Sequence, residues 1–375
     1  MEFEDRAEAP EKTYAILNRL IHIPTEKSRE HFDRLRTTAQ YRPLAEIASP
    51  EVLELYRLEL VAENPNRSAA ELERDIRVRI DQSHMEIYTH TANETAKRAA
   101  FEDGVKRPYF HVTDVPDTEL TNWRKYLDFE ETEGEYHRIV FLYERCLVVC
   151  ALHEEYWLRY ARWMQAQPDR VQEVRNIFER ASCIYVPMAK PKVRLHYAIF
   201  EETEGRVDVA RDIHHAILHK LPSNLETIVS LANLQRRQGG IDDAIAVYTE
   251  FLQSSVCDIF VKGFLVAEWA TLLWKIKGAP EEARQVYQKQ SQYYGESRPF
   301  WVSYFTFELQ QPTNAETESM QYERIKGVFQ AIFTKSFISP SVIKDIGHFY
   351  LEYLLQRGSK DAAKEYLKVD RDING

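Results

Sequence analysis

Residues 123–134 read Trp-Arg-Lys-Tyr-Leu-Asp-Phe-Glu-Glu-Thr-Glu-Gly, and this stretch decides the fold. Trp123, Tyr126 and Phe129 stand three residues apart, so a helix would place all three rings on one face. Glu130 follows the third ring directly. An amphipathic helix with a stripe of aromatic residues is therefore the prediction for this segment.

A second apolar run follows Gly134, a residue type that is typical of helix ends. This run carries Tyr-Glu-Arg at residues 143–145, an aromatic-Glu-Arg box that ends at Arg145. Together the two runs predict one helical hairpin, with the stripe on its first helix and the box on its second.

The hairpin pattern recurs along the chain with a period of 34 to 39 residues. Self-similarity at this period in a helical sequence indicates a solenoid of stacked helix pairs. We therefore predict an all-α fold, a right-handed α-solenoid of tetratricopeptide-like hairpins. The recurring positions are Trp157, Tyr160 and Trp163 with Phe178-Glu179-Arg180; Arg194, Tyr197, Phe200 and Glu201; Ile228, Leu231 and Leu234; Ala267, Ala270 and Leu273; and Trp301, Tyr304, Phe307 and Glu308.

Two regions differ in how regular the repeats are. Residues 1–116 are predicted to form an N-terminal helical segment with irregular repeats, ending in an extended connector. Residues 117–375 are predicted to form the regular array. Phe3-Glu4 resembles the end of a stripe helix, which suggests that the chain starts inside a repeat.

One helical pattern in the N-terminal region is unusually long. Ser68 has a glutamate three residues later, the spacing of a capping box, and no Pro or Gly follows before Gly104. Such a run is too long for one repeat helix. We expect a break or kink near residues 90–93.

The composition restricts the possible functions. The net charge of −10 argues against a surface that follows nucleic-acid phosphates as the main activity. The chain has no apolar run of about 18 residues and no signal-peptide pattern. Its four cysteines form no Cys-x-x-Cys pair and are predicted to be buried free thiols in a reducing compartment; they are Cys146, Cys150, Cys183 and Cys257.

The sequence suggests neither catalytic nor cofactor chemistry. His215 and His219 stand four residues apart beside His214, a spacing that could clamp a metal ion, but no third ligand is evident. A solvated helix face is the prediction for this histidine group. No Gly-rich phosphate loop and no nucleophile paired with a base is recognisable, so we predict no catalytic residue, cofactor or metal.

The acidic and basic residues of the motif are predicted to hold neighbouring helices in register. Glu130, Glu201 and Glu308 recur beside the stripe, while Arg145 and Arg180 recur in the box. We expect Glu–Arg pairs between helices, for example between Glu130 and Arg145. The rings themselves are predicted to lie in the core, because they recur at the repeat period.

The connector mixes basic and aromatic residues. Lys106-Arg107 is followed by Pro-Tyr-Phe-His, a combination that could contact RNA by phosphate pairing and stacking. The alternative is a structural connector that fills a groove between two solenoid segments, and this is the interpretation that we favour.

The stripes and boxes resemble the half-a-tetratricopeptide (HAT) repeat over residues 117–375. A more specific similarity covers Phe101-Glu102, residues 106–112 (Lys-Arg-Pro-Tyr-Phe-His-Val) and residues 122–130, which resemble the pre-mRNA-processing factor 39 branch of that family. The resemblance implies a non-catalytic nuclear scaffold in pre-mRNA splicing. It would organise proteins of the U1 small nuclear ribonucleoprotein at the 5′ splice site, with only minor or indirect contact to RNA.

The resemblance also implies pairing through the C-terminal repeats, as a homodimer or with a paralogue. The candidate interface residues are Tyr350, Tyr353, Tyr366 and Leu367, an apolar group in the last helix pair, whose first helix is predicted to end at Gly358. Two other interpretations remain open: a HAT scaffold of another RNA-processing complex (mRNA 3′-end cleavage or crooked-neck type), and direct RNA binding by the solenoid.

Overall fold

A computed structural model describes residues 10–357 and 360–374; Phe3-Glu4 and Gly358 lie outside this range. The predicted all-α fold is confirmed, and the described residues contain no strand. The α-helices are α1 Pro10–Leu20, α2 Ser28–Gln40, α3 Leu44–Ile47, α4 Pro50–Glu63, α5 Ala69–Gly104, α6 Asp117–Glu133, α7 Tyr136–Val149, α8 Glu154–Gln165, α9 Val171–Arg180, α10 Lys192–Thr203, α11 Val207–Lys220, α12 Leu225–Gly239, α13 Ile241–Gln253, α14 Ile259–Thr271, α15 Pro280–Gln290, α16 Arg298–Leu309, α17 Glu318–Lys335, α18 Pro340–Gln356 and α19 Lys360–Asn374.

The chain divides into two compact units, Met1–Cys150 and Ala151–Gly375. The division falls after α7, within the stretch that the sequence predicts to be the regular array. The predicted boundary between residues 116 and 117 separates irregular repeats from regular ones, and it stays a prediction.

The Ala151–Gly375 unit is a stack of antiparallel hairpins. Consecutive helices pair as α8–α9, α10–α11, α12–α13, α14–α15, α16–α17 and α18–α19. In most cases the first helix of a hairpin also contacts the first helix of the next, as α14 contacts α16. Each hairpin therefore buries its apolar face between its neighbours, which is the packing of a helical solenoid.

Glycine ends two of the first helices in a conformation that other residues avoid. Gly134 and Gly205 have φ angles of 80° and 78°, the left-handed region in which a Cβ atom would be strained. Both positions turn the chain from the stripe helix into the box helix, as the sequence predicts.

The Met1–Cys150 unit is built around the long helix α5. The predicted capping box is confirmed, since Ser68 Oγ accepts from the Glu71 N–H and Glu71 accepts from the Ser68 N–H. A break near residues 90–93 is ruled out, because α5 is one helix of 36 residues; a kink there stays a prediction. Helices α2 and α4 pack against α5, and α6 packs against it as well. Residues on both sides of 90–93 are buried, among them Ile80, His84, Glu94 and Arg98.

Two further helices end in a π-helical turn. These turns are Ala181–Tyr185 after α9 and Leu272–Ile276 after α14. Cys183 lies in the first turn and is exposed, so the prediction that all four cysteines are buried is wrong for this one. The other three thiols are free and buried.

Candidate functional site

Three equivalent clusters join the second helix of one hairpin to the first helix of the next. Each contains an arginine, the ring three residues after it, two rings of the following stripe, and the glutamate after the second of these rings. We call them seam clusters. The first is Arg98, Phe101, Tyr126, Phe129 and Glu130; the second is Arg175, Phe178, Tyr197, Phe200 and Glu201; the third is Arg284, Tyr287, Tyr304, Phe307 and Glu308.

In each cluster the arginine and the glutamate form a bidentate ion pair. Arg98 donates from Nε and Nη2 to the two carboxylate oxygens of Glu130, at 2.9 and 2.7 Å. The corresponding distances are 2.7 and 3.2 Å for Arg175 with Glu201. They are 2.6 and 2.9 Å in the third cluster. The three glutamates are 2%, 0% and 1% exposed, so each pair lies inside the stack.

Aromatic rings enclose these ion pairs in the same way each time. The guanidinium lies over the ring that precedes its glutamate, at 5.2 Å for Phe129, 5.7 Å for Phe200 and 5.4 Å for Phe307. The ring of the second helix stacks on the neighbouring stripe tyrosine, at centroid distances of 5.0, 5.4 and 4.6 Å. Each guanidinium is therefore held by a carboxylate at its edge and by a ring at its face.

The arginines of the seam clusters are not those of the predicted boxes. The predicted Glu130–Arg145 pair is wrong, because Glu130 binds Arg98 and Arg145 binds Glu102, at 2.7 and 2.8 Å. Arg180 does not take the position of Arg175 either; its guanidinium lies 5.4 Å from the centre of the Trp157 ring. The general expectation of Glu–Arg pairs between helices holds with different partners.

Burial and the ion pairs shift the pKa values of several groups in the clusters. Burial by itself would lower the pKa of Arg98, but hydrogen bonds to Glu130 and Glu94 outweigh it and raise that pKa. The same balance raises the pKa of Arg284. Burial, followed by the hydrogen bond to Glu102, raises the pKa of Tyr126. These side chains consequently keep one charge state across the physiological pH range.

Most of the remaining stripe rings also lie in the core. Trp123, Trp157 and Trp301 are fully buried, Tyr160 is buried, and Trp163 is half-buried. Two of the indoles donate to a carbonyl six residues earlier, Trp157 to Ala151 at 2.8 Å and Trp301 to Gly295 at 3.1 Å. The ring thus anchors the loop that leads into its own helix.

Arg194 takes the place of tryptophan in one stripe, and main-chain oxygens accept the hydrogen bonds of its guanidinium. Its guanidinium donates to the carbonyls of Ser182 and Val186, both at 2.6 Å, and to those of Pro187 and Lys190. Burial lowers the pKa of Arg194, since none of these oxygens carries a full charge. The side chain closes the end of the first π-helical turn.

Comparison with known proteins identifies the repeat. A family model described as the PRP39 C-terminal HAT repeat matches residues 96–237, which include the first two seam clusters. A Schizosaccharomyces pombe protein named Pre-mRNA-processing factor 39 is 39% identical over the whole of this chain. The chain belongs to the HAT-repeat family of pre-mRNA-processing factor 39.

This chain matches only part of the length of its relatives named Pre-mRNA-processing factor 39. The match covers 64% of the fission-yeast relative. The Homo sapiens Pre-mRNA-processing factor 39 is 31% identical over 72% of this chain, and the match covers 43% of the human protein. Among solved structures, the crystal structure of CSTF-77 matches 93% of this chain and 70% of its own, with a TM-score of 0.58 and 13% identity. This last likeness concerns the fold alone.

The candidate interface residues of this HAT protein differ in accessibility. Tyr350 is 0% exposed, so the expectation that it forms part of an apolar surface is wrong. Its hydroxyl donates to Glu365 at 2.7 Å, and its ring packs 4.3 Å from that of Phe329. Tyr353 and Tyr366 are half-buried, and Leu367 is exposed.

The histidine group of this family member is divided between core and surface. His215 and His219 are exposed, but His214 is buried, so the prediction of a solvated face is wrong for His214. Its Nδ1 lies 2.7 Å from the Ala210 carbonyl and its Nε2 lies 2.8 Å from Ser230 Oγ. Within residues 10–357 and 360–374 no group of three His, Cys, Asp or Glu residues is placed to hold a metal ion. No helix in the same ranges is long and apolar enough to cross a membrane.

Proposed function

We propose that this chain is a non-catalytic scaffold in pre-mRNA splicing, which organises proteins of the U1 small nuclear ribonucleoprotein at the 5′ splice site in the nucleus. The support is the family: the relatives that cover most of this chain are named Pre-mRNA-processing factor 39. The implied partners are proteins, and the implied contact with RNA is minor.

The burial of the repeat motif supports a scaffold mechanism. The stripe rings and the seam ion pairs are used in packing one hairpin on the next, so partners must bind the side chains that remain on the outer faces. A stack of hairpins offers such faces in series, and partner segments can lie along them. Specificity would then come from exposed residues that differ from repeat to repeat.

An affinity purification from nuclear extract tests this function. The tagged chain is expected to retain the U1 RNA together with U1 proteins. After ribonuclease treatment the proteins should remain bound, because the proposed contacts are between proteins. If neither the U1 RNA nor U1 proteins are retained, the proposal is wrong. If the proteins are lost after ribonuclease treatment, direct RNA binding replaces protein binding as the proposed function.

We also propose that the last helix pair mediates dimerisation, with a second copy or with a paralogue. Helices α18 and α19 keep three large apolar side chains exposed, Phe349, Leu355 and Leu367. Tyr353 and Tyr366 are half-buried on the same two helices. Exposed apolar residues of this kind are typical of a surface that a partner covers.

Sedimentation velocity measures the dimer directly. The unchanged chain is expected to sediment as a dimer, and Leu355→Asp/Leu367→Asp as a monomer, because two buried carboxylates would oppose association. Leu58→Asp is the matched control, since Leu58 is equally exposed on α4; it should stay dimeric. A dimer that persists in the double variant contradicts this interface, and a monomeric unchanged chain contradicts the homodimer.

A further inference from the structure

The connector between α5 and α6 is a closed and anchored loop. The Arg107 side chain donates from Nη1 to the Thr113 carbonyl and hydroxyl oxygens at 3.2 and 3.0 Å. The Thr113 N–H donates to His111 Nδ1 at 3.1 Å. At the base of the loop, the Arg107 N–H donates to the buried Glu119 carboxylate at 3.2 Å, and Val115 is buried. Side-chain bonds therefore hold residues 107–113 in one shape.

This loop presents apolar side chains to solvent. Tyr109, Phe110 and Val112 are 59%, 47% and 73% exposed. They do not fill a groove, so that part of the favoured sequence interpretation is wrong. Three large exposed apolar residues within four positions, on a loop held by its own hydrogen bonds, indicate a contact surface and not a disordered turn.

The charges around the loop are acidic. Asp103, Asp114 and Asp117 flank it and are exposed. The two basic side chains bond to neutral oxygens of the loop, Lys106 to the Asp103 carbonyl and Arg107 to Thr113, and they keep their charge, so the three aspartates leave a local excess of one negative charge. Residues 1–150 contain 30 acidic and 21 basic residues. This field opposes RNA phosphates and attracts a cationic partner.

The core of the protein shows what a ring beside a carboxylate binds. In each of the three seam clusters this combination holds an arginine, with the ring at its face and the carboxylate at its edge. The loop offers the same chemistry on the surface. We propose that Tyr109 and Phe110, with Asp103, Asp114 and Asp117, bind an arginine-containing segment of a partner protein.

The proposed contact favours arginine over lysine. A guanidinium can stack on a ring and still donate two parallel hydrogen bonds to a carboxylate, whereas an ammonium is a point charge. Val112 extends the apolar area toward the stem of the arginine side chain or toward its neighbours. Arg107 acts as a positioning residue, because it holds the loop closed.

Fluorescence anisotropy with the full chain tests the proposal. The probes are a fluorescein-labelled peptide of alternating arginine and alanine, the same peptide with lysine in place of arginine, and a labelled oligouridine RNA. For the arginine peptide, Tyr109→Ser/Phe110→Ser is expected to raise Kd about ten-fold, from the loss of two stacking contacts. Asp114→Asn/Asp117→Asn is expected to raise it about five-fold and to reduce its salt dependence.

Matched variants separate the loop from general surface effects. Tyr41→Ser removes another exposed ring of the same unit and should leave Kd unchanged. Arg107→Ala keeps the rings but opens the loop, and should raise Kd by an intermediate factor. The ring and aspartate variants should melt as the unchanged chain does by circular dichroism, because these substitutions alter exposed side chains only.

Each remaining outcome overturns the proposal. Equal Kd values for the unchanged chain and the Tyr109→Ser/Phe110→Ser variant exclude the loop as the site. Equal affinity for the arginine and lysine peptides removes the proposed guanidinium recognition. Tighter binding of oligouridine than of the arginine peptide, lost in the same double variant, identifies the loop as an RNA contact instead.

Discussion

Two junctions between consecutive hairpins of the Ala151–Gly375 unit differ in chemistry, and we call such a junction a seam. The seam between α15 and α16, at Glu308, is aromatic and ionic, whereas the seam between α11 and α12, at Leu234, is aliphatic. At the positions that correspond to Trp301, Tyr304, Phe307 and Glu308, the second seam has Ile228, Leu231, Leu234 and Gln235; at those of Arg284 and Tyr287 it has Arg211 and His214.

The aliphatic seam lacks the ion pair although its arginine is present. Arg211 binds Asp208 on its own helix at 2.9 Å, since the opposite helix offers Gln235 in place of a glutamate. His214 occupies the ring position and bonds to Ser230. Helix α12 nevertheless packs on α11 and α13 as the repeat requires. This seam therefore stacks without a buried ion pair, and we expect the pairs in the other seams to select which helices meet and in what register.

The largest expected effect comes from leaving one charge of the ionic seam unpaired. Arg284→Leu should lower the free energy of unfolding by about 3–5 kcal/mol, because the Glu308 carboxylate stays buried without its partner. Urea denaturation measures this loss. In Arg284→Leu/Glu308→Leu the seam becomes aliphatic like that at Leu234, and most of the stability should return. Equal losses in the single and double variants would show that Arg284 acts through its packing.

An aromatic ring placed in the aliphatic seam should also destabilise the stack. Leu231→Tyr adds a ring where Leu231 is fully packed and where His214 is already bonded, at a cost of about 1–3 kcal/mol from overpacking. The melting temperature and the urea midpoint report it. The control is Leu231→Met, which keeps the volume and should cost less than about 1.5 kcal/mol. A stabilised Leu231→Tyr chain would mean that the two seams are interchangeable.

The aliphatic seam should lose stability in mild acid. Burial lowers the pKa of His214; His215 lowers it further, while the bond to Ala210 and the charge of Glu202 raise it. Since the folded pKa lies below the unfolded one, near 6.5, the unfolded chain binds more protons as the pH falls through that value. The stability contributed by neutral His214 is thus full above about pH 6.5 and falls below it, by at most about 1.4 kcal/mol per pH unit.

The variant His214→Gln isolates this effect. It keeps hydrogen-bonding groups at the position but does not titrate, so its urea midpoint should fall less than that of the unchanged chain between pH 7 and pH 5. His84, whose pKa is also lowered by burial, is present in both chains and cancels in the comparison. Parallel profiles for the two chains would contradict the prediction.

The smallest expected effect concerns an ion pair at the solvent edge. Arg145 and Glu102 also form a bidentate ion pair, as the arginines and glutamates of the seam clusters do, but their side chains are 34% and 41% exposed. Arg145→Met should therefore cost only about 0.5–1 kcal/mol, because water replaces the lost partner. Urea denaturation at low and high salt checks this, and the loss should shrink in high salt. A loss as large as that of Arg284→Leu would remove the distinction between buried and exposed pairs.

Periodicity was sufficient to predict the fold but not the ion-pair partners. The prediction chose Arg145 and Arg180, each two residues after a box ring, a spacing that points away from the ring on a helix. Arg98, Arg175 and Arg284 lie three residues before a ring and therefore share its face. This recurrence was visible in the sequence and points to the three arginines that make the pairs.

Other features depend on contacts that no local pattern records. Tyr350 has the composition of an interface residue, yet α19 of the same chain covers it through Glu365. The length of the helical run suggested a break near residues 90–93, but α5 continues through them and has buried residues on both sides. The exposure of Cys183 follows from a π-helical turn, for which the sequence carries no recognisable signal.

The unbroken helix α5 has a mechanical consequence for the Met1–Cys150 unit. At 36 residues it is about 54 Å long, and it is continuous over that length. One part of it carries α2 and α4, while another contacts α6 and bears the first seam cluster. A tilt of about 5° at one end would displace the other by about 5 Å, given that length. A tilt of α5 at its contacts with α2 and α4 would therefore also move the first seam cluster.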